Sequence, residues 1–340
     1  MTSHMAREVA EIPEAVARFL DLSRADVSKA ATALRRRDPA VIATVARGTS
    51  DHAATYLKYA IELAAGIPVA SVGPSVASIY RRPLRLNGAA CIGISQSGQS
   101  PDIVEMMRGA GQGGALTIAI TNFADSPMAA ASNHCLPLQA GEEKSVAATK
   151  TFICSVAAGL ALLADWQGDQ DLAKAVAALP EAFAKAVALD WSPLSARLVR
   201  ADSLYVLGRG PGYAVACEAA LKMKETSGIH AEAYSAAEVL HGPAALAQSR
   251  FPILALGVED AALPQLLATA ERLAAQGADV FVTGAEAKGA VTLPTVPDLH
   301  PLVAPLVLAA TYYAFVEGLA RRRGFDPDRP PHLRKVTETI

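Results

Sequence analysis

The 340-residue chain carries one pattern twice, with strand-length apolar runs alternating with helical stretches. In the first half, residues 41–48 lead into a helical stretch through 56–62; in the second, residues 203–210 lead into another through Glu218, Leu221 and Lys222. Residues 90–94 and 252–256 come next, followed by 116–120 and 280–283. Each half closes on a short edge element, 135–138 and 291–294, and then a long apolar helix. Strands alternating with helices join through right-handed crossovers, so each half is expected to be a parallel sheet between helical layers. Composition agrees: 51% of residues are hydrophobic but only 5% aromatic, as suits Ala, Val and Leu helices on parallel strands. The expected segments are 1–34 (one or two amphipathic helices), 35–168, a helical linker at 169–196, 197–325, and a tail at 326–340.

The copies differ in chemistry. After the run 90–94 the first half reads Ser95-Gln96-Ser97-Gly98-Gln99-Ser100, and Pro101 opens a helix. Free N–H groups at a helix start, the macrodipole and three hydroxyls together make an anion site. The loop has no lysine and is no nucleotide-triphosphate P-loop, so one monoester phosphate is the simplest ligand. The corresponding place in the second half holds Gly257-Val258-Glu259-Asp260, whose carboxylates repel a phosphate.

In the second half, Glu218, Lys222 and Glu225 stand at i, i+4 and i+7, so a helix stacks them on one face. An exposed ladder of ion pairs has the same spacing. The apolar flanks Ala219, Ala220 and Met223, and the nearby His230, Glu232, Glu238 and His241, favour a site instead. Residues 208–212 read G-x-G-x-G with Pro211, which does not match a dinucleotide fingerprint. Neither H-x-x-x-H nor H-E-x-x-H occurs, and no thiol is close, so no metal centre is expected.

Lys and Arg total 31 against 33 Asp and Glu, a net charge of −2 that gives no electrostatic case for nucleic acid or an acidic membrane. Arg35-Arg36-Arg37 reads as a solvated helix end. Cys91, Cys135, Cys154 and Cys217 form no C-x-x-C pair, and Cys91 and Cys154 fall in apolar elements. Buried reduced thiols and a cytoplasmic setting are expected. The first eight residues hold no apolar signal core, and the apolar runs at 152–164 and 305–316 are too short to span a bilayer.

Thr49-Ser50, the serine loop, Val146-Ala147-Ala148-Thr149-Lys150, the Glu218–Glu225 helix and His241-Gly242-Pro243 together resemble the sugar isomerase (SIS) superfamily. From about residue 40 onward the chain is similar to the isomerase half of glucosamine-6-phosphate synthase. With residues 141–144 and the tail from Asp326-Pro327-Asp328 through Leu333-Arg334-Lys335-Val336-Thr337, it resembles more closely the type II glucosamine-6-phosphate deaminases. The resemblance implies two tandem SIS domains, each a five-stranded parallel sheet in a flavodoxin-like three-layer α/β/α sandwich. The synthase's glutaminase half, with its N-terminal cysteine nucleophile, is not matched, and amino-sugar-phosphate deamination without a cofactor is the expected activity. Deglycases and non-catalytic sugar-phosphate sensors share the frame; a sensor needs no acid–base set.

The resemblance also implies roles. Phosphate would sit among Ser50, Ser95, Gln96, Ser97 and Ser100, with Thr49, Val146 and Ala148 near the sugar; the synthase has serine where Ala148 stands. Glu225 would move the proton between C1 and C2, Lys222 would stabilise negative charge, and Glu218 would orient Lys222. His241 would open the ring from a neighbouring subunit, which implies a homodimer. Lys335 would form an imine or position the sugar, in an active site to which the tail contributes.

Overall fold

The computed structural model describes residues 2–335, so Val336, Thr337 and the rest of the tail beyond Lys335 lie outside the described residues. Three helices open the chain where one or two were expected: α1 (His4–Ala10), α2 (Ile12–Leu22) and α3 (Arg24–Arg37). There follow β1 (Ile42–Val45), α4 (Thr49–Ala65), β2 (Val69–Ser71), α5 (Ser75–Ser78), β3 (Ala90–Ile94), α6 (Pro101–Gln112), β4 (Leu116–Thr121), α7 (Pro127–Ala130), β5 (His134–Pro137) and α8 (Lys150–Gln167). Helices α9 (Gln170–Ala177), α10 (Leu179–Ala186) and α11 (Ser192–Leu198) lead to β6 (Ser203–Gly208), α12 (Pro211–Ser227) and β7 (His230–Ser235). Two 3-10 turns (Glu238–His241 and Pro243–Leu246) precede β8 (Pro252–Ala255), α13 (Leu263–Ala275), β9 (Asp279–Val282), β10 (Val291–Thr292) and α14 (Ala304–Arg322).

Two compact units result, and they do not follow the chain in simple halves. One comprises Glu14–Glu143, Lys150–Pro180 and the stretch from Arg334; the other comprises the N-terminal residues to Pro13, Lys144–Thr149 and Glu181–Leu333. Each holds one sheet of five parallel strands. The orders are β2-β1-β3-β4-β5 and β7-β6-β8-β9-β10, the same doubly wound arrangement twice.

In the first sheet, Ala43, Val45, Cys91 and Ala119 pack with α6 residues such as Met107. Strand alternation sends Ile42, Ile92 and Ile118 to the other face, the side of α4 and α8. In the second, Tyr205, Leu207, Ile253 and Val280 form a core with Leu266 and Ala270 of α13, and α12 and α14 pack together.

Two strands had no separate sequence signal. Edge strand β2 is three residues long with two of them exposed, and β7, at the equivalent place in its sheet, exposes His230 and Glu232. In the arginine run Arg35 and Arg36 are exposed, as expected of a solvated helix end, while Arg37 is half-buried. Arg37 donates to the Gly114 carbonyl and, at 3.1 Å, to the Ala89 carbonyl, while Arg35 donates to the Asp165 carbonyl at 2.5 Å. No helix among the described residues is long and apolar enough to cross a membrane.

Candidate functional site

In the first unit, β1 pairs with β2 on one side and β3 on the other, so the chain reverses its winding between β1 and β3. Loops at the carboxyl ends of those strands flank a crevice, the usual ligand position in a doubly wound sheet. Thr49 and Ser50 begin α4 on one of these loops, and residues 95–100 form the other.

The serine loop is held by its own atoms. Gly98 has φ +61°, and a Cβ there would run into the Ser126 hydroxyl, so this turn requires glycine. Ser95 Oγ accepts from the Gly98 N–H and Ser97 Oγ from the Gln99 N–H, both at 3.2 Å, while the Gln96 carbonyl accepts from the Asn122 N–H at 3.1 Å. Ser100 is the N-cap residue of α6 without a side-chain capping bond. Gln96, Ser97 and Ser100 line a cavity of about 420 Å³ with Phe123, Glu143 and Lys335.

Two ion pairs that sequence reasoning missed shape this region. Asp102 stands in the first turn of α6, where its charge would oppose an anion. It is buried against Arg47, whose guanidinium reaches Asp102 Oδ2 at 2.6 Å through Nε and 2.5 Å through Nη2. The Glu143 carboxylate is buried; it accepts from Thr151 Oγ1 at 2.7 Å, the Thr151 N–H at 3.1 Å and Lys335 Nζ at 2.9 Å. Lys335 is one-quarter exposed, so it shows part of its ammonium to the cavity while anchored from behind. Burial raises the pKa of Asp51, opposed by the His52 and Arg47 charges.

In the second unit, α12 places Glu218, Lys222 and Glu225 together, and the exposed-ladder alternative fails. Lys222 is 0% and Glu218 1% exposed at the side chain, while Glu225 is 19% exposed. The Lys222 Nζ lies 3.2 Å from Glu218 Oε1 and 2.6 Å from Glu225 Oε2. Burial alone would lower the lysine's pKa, but the charges and hydrogen bonds of the two glutamates prevail and hold it above its ordinary value. It is therefore a fixed cation, suited to stabilising an oxyanion rather than to taking a proton. Glu225 is the member of the trio open to solvent and so to a reactant. Tyr313 of α14 donates to Glu218 Oε1 at 2.9 Å, a contact no sequence signal marked.

The remaining expected residues lie elsewhere. Val146 and Ala148 sit on the short stretch Lys144–Thr149, pinned by the buried Glu8 carboxylate, which takes the Lys144 N–H and Ser145 hydroxyl, and by the Asp328 carbonyl, which accepts from the Val146 N–H at 3.3 Å. His241 ends a 3-10 turn and is exposed, and its imidazole makes no hydrogen bond among the described residues. At the acidic counterpart of the serine loop, Asp260 Oδ1 accepts from the Ala262 N–H at 2.9 Å, just ahead of α13. Among the described residues, no group of three or more His, Cys, Asp or Glu is placed to hold a metal ion.

Comparison with known proteins places this geometry. The SIS domain family matches residues 37–164 and 197–289. A candidate phosphosugar isomerase from Silicibacter pomeroyi DSS-3, solved by crystallography, is 52% identical with a TM-score of 0.93, covering 96% of this chain and all of that one. Glutamine–fructose-6-phosphate aminotransferase (isomerizing) from Zymomonas mobilis is 34% identical over 313 residues, 86% of this chain and 51% of that protein. The chain thus spans about half the length of the curated relatives it matches. Glucosamine-6-phosphate deaminase from Thermotoga maritima shares the fold, with a TM-score of 0.77 at 20% identity over 99% of this chain and all of that one.

Proposed function

The chain belongs to the SIS domain family, and on that premise we propose that it is a phosphosugar aldose–ketose isomerase that deaminates its substrate, converting glucosamine 6-phosphate and water to fructose 6-phosphate and ammonia. The observation that carries the reading is the buried trio on α12, an unscreened ammonium held against a carboxylate with an open edge. That is an acid–base pair suited to moving a proton between adjacent sugar carbons.

Each group then has a step. The phosphate monoester is held at the serine loop by Ser95, Gln96, Ser97 and Ser100, with Thr49 and Ser50 on the adjoining loop; Arg47 neutralises the carboxylate that would repel it. His241, from a second copy of the chain in a homodimer, opens the pyranose ring. Glu225 takes the proton from C2 and returns one to C1, while Lys222 stabilises negative charge on O1 and Glu218 fixes Lys222. As C1 is protonated the amine gives up one proton and O1 gains one, so the product of that transfer is an imine at C2 beside a C1 hydroxyl. Water adds to it and ammonia leaves, giving the ketose. Lys335, tied to Glu143, positions the sugar.

Relatives named as aminotransferases support a second reading, the reverse reaction from fructose 6-phosphate and ammonia. One assay addresses both. Glucosamine 6-phosphate is supplied without glutamine, ammonia and fructose 6-phosphate are measured, and the reverse mixture is run beside it. Product is expected in the forward assay, and Glu225→Gln should cost at least the 10²–10⁴-fold typical of a lost general base. No product at saturating substrate in the forward direction would overturn deamination.

A further inference from the structure

Tyr313 has no part in the steps above, yet its hydroxyl touches the trio. Glu218 Oε1 faces two donors, Tyr313 O–H at 2.9 Å and Lys222 Nζ at 3.2 Å. We propose that Tyr313 is a positioning residue of the reaction: by sharing Glu218, its hydroxyl sets how closely the Lys222 ammonium sits against Glu225. The inference rests on the isomerase reading for the catalytic part it gives that trio.

A carboxylate oxygen that serves two donors holds each less strongly than it would hold one. The distances show that imbalance, because Lys222 stands 0.6 Å closer to Glu225 than to Glu218. Burial makes the division sharp, since no water screens Lys222 or Glu218. Among the described residues, the elements packed against α12 carry further titratable groups. On α14, Tyr312 donates instead to the Ala219 carbonyl at 2.6 Å; burial first, and then the Glu218 and Glu225 charges, keep it neutral. Glu317, further along α14, is engaged by Ser3 and Arg321. On β6 and β7, Tyr205 and Tyr234 pack in the core with α13, Glu232 accepts from Tyr234, and His230 is exposed.

Tyr313→Phe removes the donor and keeps the ring. Glu218 then holds the ammonium without competition from that hydroxyl, and Lys222 shifts toward it and away from Glu225. Crystal structures of wild type and Tyr313→Phe test this directly, with the Lys222–Glu225 separation expected to lengthen beyond its present 2.6 Å. Kinetics with glucosamine 6-phosphate should show kcat falling roughly tenfold, the scale of one hydrogen bond to a charged group, with KM unchanged. The acid limb of the kcat profile should move to higher pH. Tyr312→Phe loses a buried hydroxyl of the same kind and should leave the separation and the acid limb in place.

An unchanged separation, or identical behaviour of the two variants, would overturn the proposal. Should Tyr313→Phe fail to fold, 3-fluorotyrosine at position 313 strengthens the donor. The acid limb must then move to lower pH, and a stationary limb counts against the role. If wild type turns over no substrate, the isomerase reading fails on its own, and the separation in Tyr313→Phe still decides the part played by Tyr313.

Discussion

Replacing Lys222 by methionine isolates what the buried trio contributes, since the stem and its volume remain and only the ammonium is lost. At an effective dielectric of about 20, contacts of 2.6 and 3.2 Å correspond to about 6 and 5 kcal/mol of attraction before desolvation. Dehydrating an ammonium with no exposed surface offsets much of that, so the intact trio adds little net stability. Breaking it is another matter. Lys222→Met takes the ammonium away from Glu218, which is 1% exposed and keeps its charge, and leaves Glu225 facing it without the cation that lay between the two like charges. The expected loss is about 3–5 kcal/mol, or a fall in Tm on the order of 10 °C for a unit of this size. Urea unfolding at constant m-value measures it, and catalysis should vanish in the same variant. Adding Glu218→Gln and Glu225→Gln should restore most of the stability and none of the activity. A loss below about 1 kcal/mol, or no recovery in the triple variant, would refute the reasoning, because it would mean that the carboxylates are hydrated.

Gly98→Ala forces a side chain into the left-handed region and against Ser126, whose hydroxyl caps α7; a cost of about 2–3 kcal/mol and a KM for sugar phosphate at least tenfold higher are expected, with kcat preserved, and an unchanged KM in steady-state assays would count against the serine loop as the anchor. Burial pushes the Cys91 and Cys154 thiols up to about 12 from an ordinary 9.0. Their folded-state values lie above the unfolded ones, so the stability they contribute is complete below pH 9 and is lost as pH rises from about 9 through about 12, by about 1.4 kcal/mol per pH unit for each thiol. Denaturation midpoints across that window should fall less steeply in Cys91→Ala/Cys154→Ala than in wild type, and equal slopes would show that other groups govern the alkaline limb.

What the sequence disclosed was local. Apolar runs of strand length between helices are enough to give a doubly wound architecture, serines ahead of Pro101 mark a helix start, and a spacing of i, i+4, i+7 puts Glu218, Lys222 and Glu225 on one helical face. What it concealed depends on which strands and helices become neighbours. Arg47 meets Asp102 because β1 pairs with β3, and no property of either residue announces that. Tyr313 lies in a run that reads as ordinary core, and its hydroxyl matters only because α14 packs on α12. Lys335 and Glu143 are almost two hundred positions apart. Strand β7 was hidden for a different reason. His230 and Glu232 break its apolar pattern, so it read as part of a cluster of titratable groups near a site rather than as a strand.

The two sheets reverse their winding at equivalent places, β1/β3 and β6/β8, yet on the proposed reading only the first copy uses its switch-point loop to hold a ligand. Its Asp260 is spent on the Ala262 N–H, and Glu259 faces solvent. A physical reason for the divergence follows from what each task needs. A phosphate brings its own charge and asks only for N–H groups and hydroxyls at a helix start, which a surface loop supplies with modest help from Arg47. Proton transfer from carbon needs an ammonium and a carboxylate whose attraction water does not weaken, and a loop at a crevice mouth cannot exclude water. Within α12, with β6 and β7 behind it and α14 alongside, both requirements are met by residues one helical turn apart. On that reading the second copy keeps its crevice, and its chemistry lies one element away, where burial excludes water.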